Sequence, residues 1–139
     1  MRQNGFIKFL DDINAKIVLS SSWRSLNVQS TILEFSTSCN NLLQKLIPYI
    51  IGVTPRFYKY MKRGNEIKYW MNMLSIDYYA LVKHGCLLEN VEISKNYRYV
   101  IVDDDNNMLR GQNFVQIDFQ TGLTDEDVNN MKAFLEMSR

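Results

Sequence analysis

One histidine, two cysteines and no long apolar run bound what this 139-residue chain can do. The single His84 excludes a metal site built on paired histidines, and in any Ser-His or Cys-His triad it would have to serve alone. Cys39 and Cys86 lie far apart and in no metal-ligand spacing, so free thiols in a reducing cytoplasm are expected. Neither sign of charge dominates: 16 Lys and Arg against 15 Asp and Glu leave a formal net charge of +1. With no dense basic run, composition gives nucleic-acid binding no support. The longest apolar stretches are about half a membrane span, which predicts a soluble, cytoplasmic protein with no membrane partner. The start, Met1-Arg2-Gln3-Asn4-Gly5, leads into an amphipathic segment rather than the apolar core of a signal peptide. A length of 139 residues suits one domain, residues 1–139, able to bury about two-thirds of its unfolded surface.

Phe6, Ile7, Phe9, Leu10 and Ile13 recur at helical spacing. Ala15 to Leu19 reads as a short buried strand ending at Ser20-Ser21-Ser22, with a helix after the serines and Trp23 near its start. Leu42, Leu43, Leu46 and Ile47 predict a helix stopped near Pro48. Tyr49 to Val53 predicts a second strand, and Asn65 to Leu74 a helix with Ile67, Trp70, Met71 and Leu74 on one face. Residues 76–98 suggest a loop or short helix followed by irregular chain. Tyr99 to Val102 and Phe114 to Ile117 read as strands. Thr124 caps a last helix, with Asp125 and Glu126 in its first turn and Val128, Met131, Phe134 and Leu135 on its apolar face. Short apolar strands alternating with helices imply an α/β fold, with a mostly parallel sheet covered on both faces.

Three constellations carry chemistry. The run Tyr99-Val100-Ile101-Val102 ends abruptly in Asp103-Asp104-Asp105. Acids at a strand's carboxyl end can hold magnesium against a phosphate, since that ion is usually bound by one or two carboxylates plus substrate oxygens. The bland alternative is a solvated acidic turn. An EF-hand is excluded, because Met108 and Phe114 occupy the positions that need glycine and a bidentate glutamate. Second, Ser20-Ser21-Ser22-Trp23-Arg24 lies between a strand and a helix start, where hydroxyls, backbone N–H groups and a guanidinium can cradle a phosphate. An ordinary helix cap with a buried tryptophan explains the same residues. Third, Arg63-Gly64-Asn65-Glu66-Ile67 opens a helix where a cation could face the same cleft, with Arg56 and Lys62 as competitors; a solvated helix start explains these residues equally well.

In order and spacing these pieces resemble the haloacid dehalogenase (HAD) superfamily of phosphohydrolases, and more narrowly the HAD-type domains of Swiss Army Knife RNA repair proteins. The likeness takes in Ala15 to Arg24, Gly52-Val53-Thr54-Pro55, Arg63 to Ile67 with Trp70, Val100 to Asp105, Phe114 to Asp118 and Thr121 to Thr124. It implies a three-layer Rossmann-like sheet. Ser21 matches the phosphoryl-binding second motif, with Ser20, Ser22 and Arg24 beside it. Arg63, or less well Lys68, matches the third, the cation that stabilises the phosphorylated intermediate. Asp103 and Asp104 match the acidic pair that helps hold Mg2+. Asn107 stands where the family pattern often carries another acid.

The resemblance also implies covalent catalysis: an aspartate attacks a phosphate ester, and water hydrolyses the aspartyl-phosphate. The family's nucleophile lies on a strand ending in Asp-x-Asp ahead of the first helix, a strand this sequence lacks. Asp11 and Asp12 read instead as the polar face of helix one. The expectation is therefore a HAD-like sheet without its N-terminal central strand, in a domain incomplete at that end and inactive as given. Phosphorylated small molecules or nucleic-acid ends are the expected substrates, and a strand-donating partner or self-association the expected remedy for the exposed edges. The alternative is a non-catalytic module that binds phosphate or metal, or docks on another subunit.

Overall fold

The computed structural model describes residues 3–20, 26–56, 61–118 and 123–136. Helix α1 (Gln3–Asp12) begins the fold and strand β1 (Ile17–Leu19) follows. Ile13 falls in the turn between them and is exposed, so it does not extend the apolar face of α1. Asp11 and Asp12 are exposed on that helix, where Lys8 pairs with Asp12 one turn away.

Helix α2 (Val28–Ser36) starts later than the serines suggest, because Asn27 caps it: the Asn27 side chain accepts from the Ser30 amide, and Ser30 accepts from the Asn27 amide. Trp23 lies outside the described residues. Asn40 caps α3 (Asn41–Leu46), which tightens into a 3-10 turn (Ile47–Tyr49) at Pro48. Strand β2 (Ile50–Val53) follows, then α4 (Arg63–Ile76), two residues longer at each end than the periodicity indicates. Asp77 ends α4 and caps the short α5 (Tyr78–Lys83). Strand β3 (Ile101–Asp103) starts two residues later and ends one residue later than expected, placing Asp103 inside the ladder. Strand β4 (Phe114–Gln116) and α6 (Asp125–Leu135) complete the chain, with Thr124 and Asp127 forming a reciprocal cap.

The four strands form two parallel pairs, β1 with β2 and β3 with β4, and no ladder joins the pairs among the described residues. The fold is α/β with short parallel strands, consistent with a HAD-like domain. Strand β2 is buried throughout, whereas β1 is half-buried along its length and Val102 in the middle of β3 is 36% exposed. The outer edge of β2 is covered by residues 86–88, where the Val53 amide donates to the Cys86 carbonyl and the Leu88 amide to that of Ile51.

Register explains how one strand serves two cores. Ile17 faces Ile50 but Val18 faces Gly52, so Ile51 is an extra residue in β2. Ile50 and Val53 then pack with Leu10, Val28, Phe35 and Leu46, while Ile51 joins Trp70, Leu81, Cys86 and Leu87 on the other face. A third core holds Phe9, Val115, Val128 and Met131 between α1, β4 and α6. Helix α1 bridges the two strand pairs, with Leu10 in the first core, Phe9 in the third and Phe6 against both. Neither cysteine is in a disulfide; Cys39 is exposed and Cys86 buried.

Candidate functional site

The carboxyl end of β3 and the first turn of α4 meet. Arg63 Nη1 donates to Asp103 Oδ2 at 2.7 Å, with the Asp103 side chain 5% exposed and that of Arg63 22% exposed. The Asp105 amide donates to Asp103 Oδ1 at 3.0 Å, folding the acid run back on itself. Burial pushes the Asp103 carboxyl up. The Asp105 amide, the Arg63 guanidinium and a hydrogen bond with Asp104 outweigh that push and hold it below its ordinary value. Asp104 is exposed, and its backbone carbonyl accepts from Gln116 Nε2 at 3.1 Å.

The structure thus joins Arg63 to Asp103, two of the residues that the sequence singles out, and distinguishes Asp103 from Asp104, which the sequence reading treats as equivalent. Both oxygens of Asp103 are engaged by protein donors, and Asp104 is the more open carboxylate. Lys62, Lys68 and Arg56 are exposed. Ser20 follows β1 and is half-buried; Ser21, Ser22 and Arg24 lie outside the described residues. His84 is exposed at the turn after α5. No group of three or more His, Cys, Asp or Glu side chains suited to a metal converges among the described residues. Asp103 and Asp104 alone do not make a closed structural site. They suit an ion such as magnesium, which takes one or two carboxylates and completes its shell with water and phosphate.

The approach of α4 to β3 depends on bonds made by Gly64, Asn107 and Gln112. The Gly64 amide donates to the Asn107 carbonyl at 3.0 Å. Gln112 Oε1 accepts from the Leu109 amide at 2.7 Å, and Gln112 Nε2 donates to the Gly64 carbonyl at 3.0 Å. A glycine at the start of an otherwise regular helix was the available signal; nothing in the sequence singles out Gln112.

At the neighbouring strand pair, the Thr54 amide donates to the Leu19 carbonyl, which places Thr54 beside Ser20 at the carboxyl ends of β1 and β2. Thr54 Oγ1 is buried without a hydrogen-bond partner among the described residues. Thr54→Val is expected to raise the melting temperature by about 4 °C, because an unpaired buried hydroxyl costs on the order of 1 kcal/mol. Calorimetry checks this; a lower midpoint would show that the hydroxyl binds a partner.

The family described as the HAD domain in Swiss Army Knife RNA repair proteins matches residues 4–128. The chain belongs to this HAD family. No curated protein and no solved structure matches it. The matched span takes in both strand pairs and all of the residues around Arg63 and Asp103. None of the domain's helices, among the described residues, is long and apolar enough to cross a membrane.

Proposed function

We propose that this HAD domain is the phosphate- and magnesium-binding part of a phosphohydrolase whose nucleophile strand enters between β1 and β3. The observation that carries this reading is the Arg63–Asp103 contact with Asp104 exposed beside it. A cation next to an acid pair at the carboxyl end of a parallel strand can balance both a phosphoryl group and a divalent ion.

In this reading Asp104, with Asp103 behind it, holds Mg2+, which supplies charge neutralisation at the phosphate when bound. Arg63 faces the phosphoryl oxygens while its Nη1 remains on Asp103. Ser20, at the end of β1, binds the same oxygens, and by resemblance to the family's second motif Ser21 does so too, with Ser22 and Arg24 as further candidates. The nucleophile is an aspartate on the entering strand; the chain 1–139 alone is inactive. A phosphorylated small molecule or a nucleic-acid end is the substrate class, and family membership favours the second.

The two unjoined strand pairs favour a second reading, in which the domain binds phosphate or metal without catalysis and docks on a subunit that completes its sheet. Titration calorimetry of residues 1–139 with MgCl2, and with inorganic phosphate in its presence, tests the site. Magnesium binding lost in Asp104→Asn is the expected result, together with no release of phosphate from p-nitrophenyl phosphate. Indifference to both ligands would overturn the site, and robust magnesium-dependent turnover would overturn the inactivity.

A further inference from the structure

We propose that Gln112 is the positioning residue of this site: its side-chain amide fastens the acidic loop to the first turn of α4 and so sets the Arg63 guanidinium against Asp103. The proposal rests on the reading of Arg63 and Asp103 as parts of a phosphate site, but its test does not.

Helix α4 opens without a cap of its own. The N-cap position is Lys62, whose side chain has no oxygen to offer, and no side-chain capping bond is made there. The amides of Asn65 and Glu66 turn to the Lys62 carbonyl, leaving that of Gly64 to find a partner elsewhere. It finds the Asn107 carbonyl, in the loop that leaves β3. Gln112 then closes a ring: one end of its amide accepts from Leu109 within the loop, and the other end donates to the Gly64 carbonyl, 48 residues away in sequence. Both the donor and the acceptor of this side chain are used, so no other residue of its length replaces both bonds.

The ring is tight. A Cβ at position 64 would lie 2.5 Å from the Leu109 nitrogen and 2.5 Å from Gln112 Oε1, with Met108 Cα at 2.9 Å. The helix can come this close only because residue 64 is glycine. Arg63 is the adjacent residue, so the ring fixes its backbone where the long side chain needs only to extend to Asp103. Without that anchor the guanidinium would have to give up more rotamer freedom for the same contact.

The test reads Arg63 directly. In 15N-labelled residues 1–139, the guanidinium signals of Arg63 are assigned by their loss in Arg63→Lys, and the rotation rate about its Cζ–N bonds is measured by exchange. Arg98, which donates to the Leu135 carbonyl at the far end of α6, is the internal control. Gln112→Met is expected to speed rotation at Arg63 about tenfold, two hydrogen bonds being lost, with Arg98 unchanged. Gln112→Glu keeps the acceptor for Leu109 and loses the donor to Gly64, so it is expected to free Arg63 by a smaller factor; it also serves if the methionine variant does not fold. Unaltered Arg63 rotation in either folded variant would overturn the proposal. Magnesium binding in the wild type with an indifferent Arg63 would sink this inference alone. A responsive Arg63 in a protein that binds neither magnesium nor phosphate would sink the functional reading alone.

Discussion

Gly52→Ala is expected to lower the melting temperature by about 10 °C, taking an overpacking cost of on the order of 2–3 kcal/mol and a few degrees per kcal/mol for a chain of this size. Position 52 is where three elements converge. The added Cβ would collide with the Cys86 carbonyl oxygen and lie 3.3 Å from Trp70 Cζ2. The Cys86 carbonyl cannot step aside cheaply, because it accepts from the Val53 amide at 3.0 Å and from Trp70 Nε1 at 2.9 Å. Alanine therefore strains one buried carbonyl and the two donors that depend on it, and Gly52→Val adds bulk against the Trp70 ring. Thermal melts followed by far-ultraviolet dichroism and tryptophan fluorescence check the expectation. A midpoint within a degree of the wild type would mean that residues 86–88 can withdraw from β2 without loss.

Arg63→Met is expected to cost about 3 kcal/mol at pH 7, the scale of leaving one member of a buried ion pair uncompensated. Asp103 would remain buried with the Asp105 amide but without the guanidinium. Adding Asp103→Asn should recover part of the loss, so the double variant is more stable than Arg63→Met alone, a coupling that urea titrations of the four proteins would measure. The pH dependence follows from the sign of the shift. In the wild type the folded carboxyl titrates below its ordinary value. Its contribution is complete above the unfolded value, about 3.9, and is lost as pH falls through the folded value. Without Arg63 the burial that pushes this carboxyl up faces less opposition. The penalty of Arg63→Met should then shrink as pH is lowered and Asp103 takes up a proton. A penalty independent of pH would show that the arginine acts through packing alone.

Most of the elements were legible in the sequence because local chemistry fixes them. Thr124, with Asp125 and Glu126 in the turn that follows it, announces α6, and the apolar spacing of Val128 and Met131 gives its buried face. Pro48 stops a helix, and the apolar run Tyr49 to Val53 reads as a strand, which the structure keeps from Ile50 onward. Errors fall where a distant partner decides. The start of α4 at Arg63 depends on the Asn107 carbonyl, and β3 runs on to Asp103 because Arg63 and the Asp105 amide compensate a carboxylate that propensity would exclude from a ladder. The site itself was half legible. A basic residue before a helix and an acid run after a strand pointed to one cleft, and the structure joins Arg63 to Asp103. The unequal roles of Asp103 and Asp104, and the clamp made by Gln112, depend on which oxygen meets which donor, and spacing along a chain carries no record of that.

The two thiols meet an alkylating reagent on different clocks. Cys39 is open to solvent and reacts at a rate set by its own chemistry. Cys86 lies under Trp70 and against β2, so it reacts only during the excursions that part this layer. The ratio of the two rates therefore reports, without any added label, how often the ground beneath α4 gives way.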